Sequence, residues 1–303
     1  SPTAALESVL LTAIIDAKEG RNVAVIDIPN AFIQTRLDND HNKAIMRLRG
    51  KLAELLVKVA PEIYSKHVVI NKKGETVLYM RLLNALYGIM KGGLLYYQRF
   101  VTNLMSIGFV VNPYDPCVAN KTVLGTQLTV VWHIDDLKVS HLLKSVVTKM
   151  ATWLKATYER LFDDGSGKMK IARGKVHDYL GMNLDFLFPG EVKVTMFPYV
   201  KEIVKLFQKH DNNSRTAKTP AADHLFQVNE DSIPLPEHQA MTFHNFVAKC
   251  LFLTKQAQPN ISTAKAFLTT RVKGPDQDDW KKLTQMICYL FGSLELPLIL
   301  RSD

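Results

Sequence analysis

Three aspartates stand where carboxylates need a reason. Asp27 closes the apolar run Val23-Ala24-Val25-Ile26, and Asp135-Asp136 lie between Thr129-Val130-Val131-Trp132-His133-Ile134 and Leu137-Lys138-Val139-Ser140. A run such as Val23 to Ile26 reads as a buried strand, and an acid at its end is desolvated unless a cation or donor compensates it. The second stretch predicts a hairpin whose two-residue turn is Asp135-Asp136, with β-favouring residues on both sides. If the two strands pair or neighbour one another, three acids converge. Two such charges about 4 Å apart repel by about 4 kcal/mol at an effective dielectric near 20, so the cluster would want divalent metal. That is the acid arrangement of two-metal phosphoryl transfer. Each piece alone has a plainer reading, because Asp-Asp is more often a solvated hairpin turn and Asp27 would simply cap a strand end.

The elements that must carry these acids are legible around them. Leu6, Val9, Leu10, Ala13, Ile14 and Ala17 recur at helical spacing, with Ser1-Pro2 as cap and first turn and Gly20 as stop. The strand ending at Asp27 follows, then a polar loop from Leu37 to Lys43. Ile45 to Tyr79 mixes short apolar runs with Pro61 and the turn Lys72-Lys73-Gly74, an irregular α+β insertion. Helical spacing returns from Leu94 to Leu104, and again after the acidic hairpin from Leu143 to Leu161, stopping before Asp163-Asp164-Gly165-Ser166-Gly167. Two strands, Asp178 to Phe186 and Glu191 to Met196, flank the turn Pro189-Gly190. This order suits an antiparallel sheet with helices packed on one face. The remainder is mainly helical, over Val200 to Phe207, Phe243 to Lys255 and Lys281 to Phe291, with a Pro-rich connector from Thr219 to Pro236. A subdomain boundary falls between about residues 195 and 220.

At 303 residues and 47% hydrophobic, the chain is long enough to bury a sizeable core. A formal net charge of +9 favours a polyanionic partner, nucleic acid ahead of an acidic membrane surface, although the lysines and arginines are spread along the chain. Cys117, Cys250 and Cys288 are too far apart for a metal-spacing pair or a disulfide framework and suggest buried thiols in a reducing compartment. No basic n-region followed by an apolar h-region is present and no apolar run is long enough to span a bilayer, so the expectation is an intracellular, soluble chain with no membrane partner.

Four segments occur in a telling order: Ala24-Val25-Ile26-Asp27-Ile28-Pro29-Asn30-Ala31-Phe32, Leu86-Tyr87-Gly88-Ile89-Met90-Lys91, His133-Ile134-Asp135-Asp136-Leu137 and Tyr179-Leu180-Gly181-Met182. This resembles the reverse transcriptase of copia-type long-terminal-repeat retrotransposons, in which an Asp-x-x-x-Ala-Phe strand end, a Leu-Tyr-Gly-Leu-Lys segment, a Tyr-Val-Asp-Asp hairpin and a Phe-Leu-Gly-Ile strand follow one another. The likeness continues through Asp115 to Asn120 and Lys249 to Ile261 and covers nearly the whole chain. It implies an α+β right-hand polymerase: a palm with partial fingers over residues 1–200, the fingers-like insertion at about 38–85, and a helical thumb or connection region over 201–303. It also implies RNA-directed DNA synthesis by two-metal transfer of deoxynucleotides onto a primer 3′-hydroxyl.

Carried over position by position, the resemblance has Asp27 and Asp135 hold two magnesium ions, or manganese in their place, with the Ile28 carbonyl helping and Asp136 shaping the site. Phe32 would be the gate under the incoming sugar, and Tyr87 and Gly88 would lie against the incoming base and template. His133 and Ile134 would sit near the primer end, with Leu180, Gly181 and Met182 in a primer-grip hairpin. The implied partners are an RNA template, a DNA primer, the RNA–DNA duplex and deoxynucleoside triphosphates, with ribonuclease H and integrase elsewhere in a parent polyprotein. The implied location is a cytoplasmic virus-like particle with a nuclear phase. His133 stands where the family has Tyr, and Gly92-Gly93 where it has Ser-Pro. The chain starts where a basic N-terminal fingers segment would have ended, and Leu294 to Leu300 looks like the lead into ribonuclease H. Three rivals remain: an inactive remnant of the same fold that binds nucleic acid, an unrelated two-metal nuclease or phosphatase, and a structural partner domain.

Overall fold

The computed structural model describes residues 2–37, 44–89, 91–160, 167–211 and 215–302. The polar loop at 38–43, Met90, Leu161 and the stretch Asp163-Asp164-Gly165-Ser166 lie outside the described residues.

Helix α1 (Leu6–Lys18) leads into strand β1 (Asn22–Asp27). It begins later than Ser1-Pro2 suggests: Ala5 is the N-cap without a side-chain bond, and its own N–H donates to Asp115 Oδ2 at 3.0 Å. A distant carboxylate therefore does the anchoring that a local cap was expected to do. Gly20 takes φ +64 at the exit, a conformation that a side chain would strain.

The insertion follows as β2 (Ala44–Arg49), α2 (Lys51–Val59), α3 (Pro61–Tyr64), β3 (Val68–Ile70) and β4 (Thr76–Leu82), its strands forming a separate antiparallel sheet in the order β2-β4-β3. Then come α4 (Gly92–Ser106), β5 (Val110–Val111), β6 (Val118–Val123), β7 (Thr126–His133), β8 (Asp136–His141), α5 (Lys144–Tyr158) and β9 (Lys170–Gly174). These strands and β1 make a six-stranded antiparallel sheet, ordered β5-β6-β7-β8-β1-β9, in which β1 lies between β8 and β9. The architecture is mixed α+β with antiparallel sheets, as the pattern of elements suggested.

Alternation along the strands splits the packing between two cores. On one face Ala24, Ile26, Val130, Trp132, Leu137 and Val139 pack with Phe100 and Leu104 of α4 and Val147, Met150 and Leu154 of α5. On the other face Val23, Val118 and Val131 pack with Val9, Ala13 and Ala17 of α1. The expectation of helices on one face is therefore corrected, because α1 covers the second. This second core runs on into β10 (Val176–Tyr179), β11 (Met182–Asp185), β12 (Glu191–Thr195), α6 (Phe197–Phe207), α7 (Glu237–Gln256), α8 (Ser262–Arg271) and α9 (Gln277–Gly292), and β13 (Leu298–Arg301) closes a four-stranded sheet ordered β10-β11-β12-β13. The single strand that the residue pattern predicts over Asp178 to Phe186 is broken by a hairpin turn at Leu180-Gly181, where the resemblance implied a hairpin: the two residues take φ +52 and +79, the positive pair of a type I′ turn. Leu298–Arg301, in the stretch expected to lead into a following domain, is an edge strand paired with β12. No helix among the described residues is long and apolar enough to cross a membrane.

One charge sits inside this packing. Lys138 faces α1 from β8, opposite Val25 and Val131, and its Nζ donates to Asp16 Oδ2, with the two residues 1% and 2% exposed. Removing one partner of a buried pair leaves the other uncompensated, at a cost of about 3–5 kcal/mol, whereas replacing both by apolar groups is often neutral. Asp16→Ala is thus expected to lose about 3–5 kcal/mol of unfolding free energy. Asp16→Leu with Lys138→Met should recover most of the loss in urea denaturation; simple additivity of the single changes would contradict this role.

Candidate active site

The β7–β8 hairpin is tighter than the sequence suggests. His133 pairs with Asp136 as the last rung, so the two-residue turn is Ile134-Asp135 and not Asp135-Asp136. Of these two only Ile134 has positive φ, at +61, the pattern of a type II′ turn. A β-branched residue there is strained by about 1–3 kcal/mol, a cost tolerated mainly where the surroundings enforce it, as at active sites. The sequence reading missed this because Asp-Asp is the better turn former, and cross-strand pairing overrode that preference.

The β1–β8 register places Asp27, last residue of β1, directly opposite Asp136, first residue of β8. The Ile28 N–H then donates to the Asp135 carbonyl at 2.9 Å, so the hairpin turn sits over the end of β1. Across the other edge Asp27 lies opposite Lys170 of β9, with Lys170 Nζ 3.8 Å from Asp27 Oδ2. Lys170 is well exposed, and a loose surface pair of this kind contributes little.

The acids are poorly compensated. Burial first, and then the charges of Asp135 and Asp27, push the Asp136 carboxyl above the usual range, against a smaller opposing pull from His133. Asp135 is likewise raised by burial, backed by Asp27 and opposed by backbone and Tyr87 hydrogen bonds and by His133. The Tyr87 hydroxyl donates to Asp135 Oδ2 at 3.3 Å, and burial together with Asp135 and Asp27 raises its own pKa.

A cleft of about 810 Å³ opens beside them, lined by Asp27, Ile28, Pro29, Asn30, Tyr87, Asp135, Lys155 and the segment 167–171. Of the residues singled out from the sequence, Asp27, Ile28, Tyr87 and Asp135 meet in this wall. Asp136 and His133 pair as the last rung of the hairpin and are not among the residues lining the cleft. Phe32 packs under Tyr87, ring centroids 4.6 Å apart, and edge-on to Tyr96 at 6.1 Å, so it bridges the cleft and the core. Gly88 follows Tyr87 with φ +93 and open space where a Cβ would stand, so backbone conformation, not a close neighbour, requires glycine there. Leu180 and Gly181 form the β10–β11 turn and Met182 is buried. They lie off the cleft wall, although Tyr179 beside them donates to the carbonyls of Val131 and Asp136 at 3.3 and 3.4 Å.

The sequence reading missed the cationic side of the cleft. Lys155 comes from α5, while Lys168 and Lys170 come from the approach and first residue of β9, a strand that was not expected. The only local signal was alternation over Lys168-Met169-Lys170-Ile171, too short to separate from a loop.

The donor set at the acids is all oxygen, which suits a hard divalent cation. Among the described residues no group of three or more His, Cys, Asp or Glu side chains is gathered for a metal; the register sets Asp27 across from Asp136, with Asp135 in the adjoining turn. Magnesium is commonly held by one or two carboxylates with waters and substrate phosphates, and Asp27 and Asp135 in the cleft wall fit that manner of binding.

No family model matches the chain. Over 97% of its length it is 20% identical to the retrovirus-related Pol polyprotein from transposon TNT 1-94 of Nicotiana tabacum. Among solved structures, apo telomerase from Candida tropicalis gives a TM-score of 0.38 at 13% identity, covering 96% of this chain and 51% of that one. Telomerase from Candida albicans in complex with a TWJ fragment of telomeric RNA gives 0.34 at 11% identity, covering 93% and 48%. Scores this low do not establish a shared fold. The chain is similar, at low identity, to a retrotransposon Pol polyprotein of whose length it spans 20%.

Proposed function

We propose that this chain is the polymerase region of a copia-type retrotransposon reverse transcriptase, adding deoxynucleotides to a primer 3′-hydroxyl on an RNA template and releasing pyrophosphate. The observation that carries the reading is the register that sets Asp27 opposite Asp136 while Ile28 holds the Asp135 carbonyl above the same cleft. The order of the sequence motifs and the 20% identity to a Pol polyprotein along nearly the whole chain support it.

Asp27 and Asp135, helped by the Ile28 carbonyl, would hold two magnesium ions, with manganese as a substitute. Such ions supply charge neutralisation at attacking and leaving oxygens about 3.5–4 Å apart. Lys155, Lys168 and Lys170, which line the same cleft, suit the charge of a triphosphate. Phe32, stacked under Tyr87, is the candidate floor for the sugar, and Tyr87 and Gly88 for the base and template. His133 and Ile134 at the hairpin tip, with Leu180, Gly181 and Met182, would face the primer strand. Acids held against burial and mutual repulsion are what a functional site retains and a structural one sheds.

Asp135→Asn is expected to lower magnesium-dependent primer extension by at least about 100-fold while leaving RNA–DNA duplex binding within about twofold. Equal loss of both would assign the residue to the fold, and salt-sensitive duplex binding by a wild-type chain that never extends a primer would favour an inactive remnant. Phe32→Ala should raise ribonucleotide incorporation; unchanged sugar selectivity removes the gate. The raised pKa of Asp136 gives a third test. Its folded form holds a proton more readily than its unfolded form, so its contribution is most favourable below the ordinary value of 3.8 and is lost as pH rises through the folded pKa. Asp136→Asn should therefore raise the melting temperature at pH 7, with a gain that shrinks towards zero in acid. A lower melting temperature at pH 7 would mean that the carboxylate is stabilising.

A further inference from the structure

A second concave site involves the turn that follows β1. Gln34, Thr35, Arg36, Asn84, Arg99 and Arg160 line about 560 Å³ of open space. Its three guanidinium groups come from three separate segments, the turn after β1, helix α4 and the residues just past α5. No Asp or Glu lines it among the described residues.

The site is built, not merely basic. Arg99 Nη1 donates to the Gln34 carbonyl, and its guanidinium carbon stands 5.7 Å from the centre of the Tyr158 ring. These contacts fix the plane of the fork and leave further N–H donors for a ligand. The Gln34 side chain in turn donates to the carbonyls of Pro29 and Tyr158, both at 2.8 Å, so this wall is tied to the end of α5 and to a residue of the acid cleft. Thr35 is 5% exposed, and its hydroxyl has no hydrogen-bond partner among the described residues.

We infer that this pocket binds a phosphate oxyanion, with Arg36, Arg99 and Arg160 as charge-assisted donors. Arginine forks match phosphate geometry, and among the described residues no carboxylate of the lining opposes an anion. The phosphate comes either from the backbone of an RNA strand or from a free polyphosphate. The inference does not need the acids to catalyse transfer, because no residue of the acid cleft belongs to the anion-contacting set.

The test uses the full chain without divalent metal, so that the uncompensated acids repel anions from the other cleft. Arg36→Gln with Arg160→Gln is compared with Lys72→Gln with Lys73→Gln, an equal loss of charge in the exposed β3–β4 turn. Both should melt as the wild type does. Titrations with inorganic pyrophosphate and with a single-stranded RNA oligonucleotide then read the site. The arginine variant is expected to bind at least tenfold more weakly, with the lysine variant within twofold of wild type. If the RNA arm changes, its log K against log salt slope should flatten by about 1.4, from two contacts at roughly 0.7 each on a single strand; the source is then a nucleic-acid backbone. Loss confined to pyrophosphate identifies a free anion. Wild-type affinity of the arginine variant for both ligands, or equal loss in the lysine variant, overturns the inference.

Discussion

The antiparallel register between β1 and β8 is the constraint on which the acid site depends. It places Asp27 opposite Asp136 and lets the Ile28 N–H reach the Asp135 carbonyl. Side chains alternate along a strand, so a slip of one residue would turn Asp27 towards the face that holds Trp132 and Phe100. Hydrophobic patterning alone guards weakly against that slip, because Val23 on one face and Ala24 and Ile26 on the other are all buried. The Lys138–Asp16 pair is the better guard: it pins α1 over β8, and only three residues, Glu19 to Arg21, separate α1 from the start of β1. An ionic contact some distance from the cleft thus sets where the cleft's first carboxylate emerges.

The site itself works against the fold. Ile134 is held at positive φ, and burial and like charge raise Asp135 and Asp136. These costs are local, and the two cores around the sheet offset them. Phe32, Tyr87 and Tyr96 form a chain of rings from the cleft wall to the packing under α4, which couples the Tyr87 part of that wall to a rigid layer. On the opposite side Tyr179 reaches the backbone of both β7 and β8 near the acidic tip and joins the tip to the second core. The hairpin is braced from both faces of the sheet, as a site that must hold its carboxylates in place requires.

Much of this was legible in the sequence, and the gaps have physical causes. The Val23 to Ile26 run and the β-rich flanks of the acidic pair announced the strands that meet, because apolar runs ending in an acid are costly without a purpose. The turn was misplaced by one residue, because local turn preference favours Asp-Asp while pairing of His133 with Asp136 decides the register. The break at Leu180-Gly181 followed from the resemblance and not from the residue pattern: leucine at φ +52 is a conformation that composition does not advertise. Strand β9 and its Lys170 were missed because an edge strand is recruited by its neighbour and not by its own pattern. The arginine pocket was out of reach altogether, since Arg36, Arg99 and Arg160 are far apart in the chain and only the packing of α4 and α5 assembles them.

The most direct measurement is a crystal structure grown with manganese and a non-hydrolysable deoxynucleoside triphosphate, with anomalous scattering used to find the metal. Two anomalous peaks about 3.5–4 Å apart are expected, both within coordinating distance of Asp27 and Asp135. Manganese bound only elsewhere, with the triphosphate ordered and those two carboxylates free of metal, would contradict that expectation.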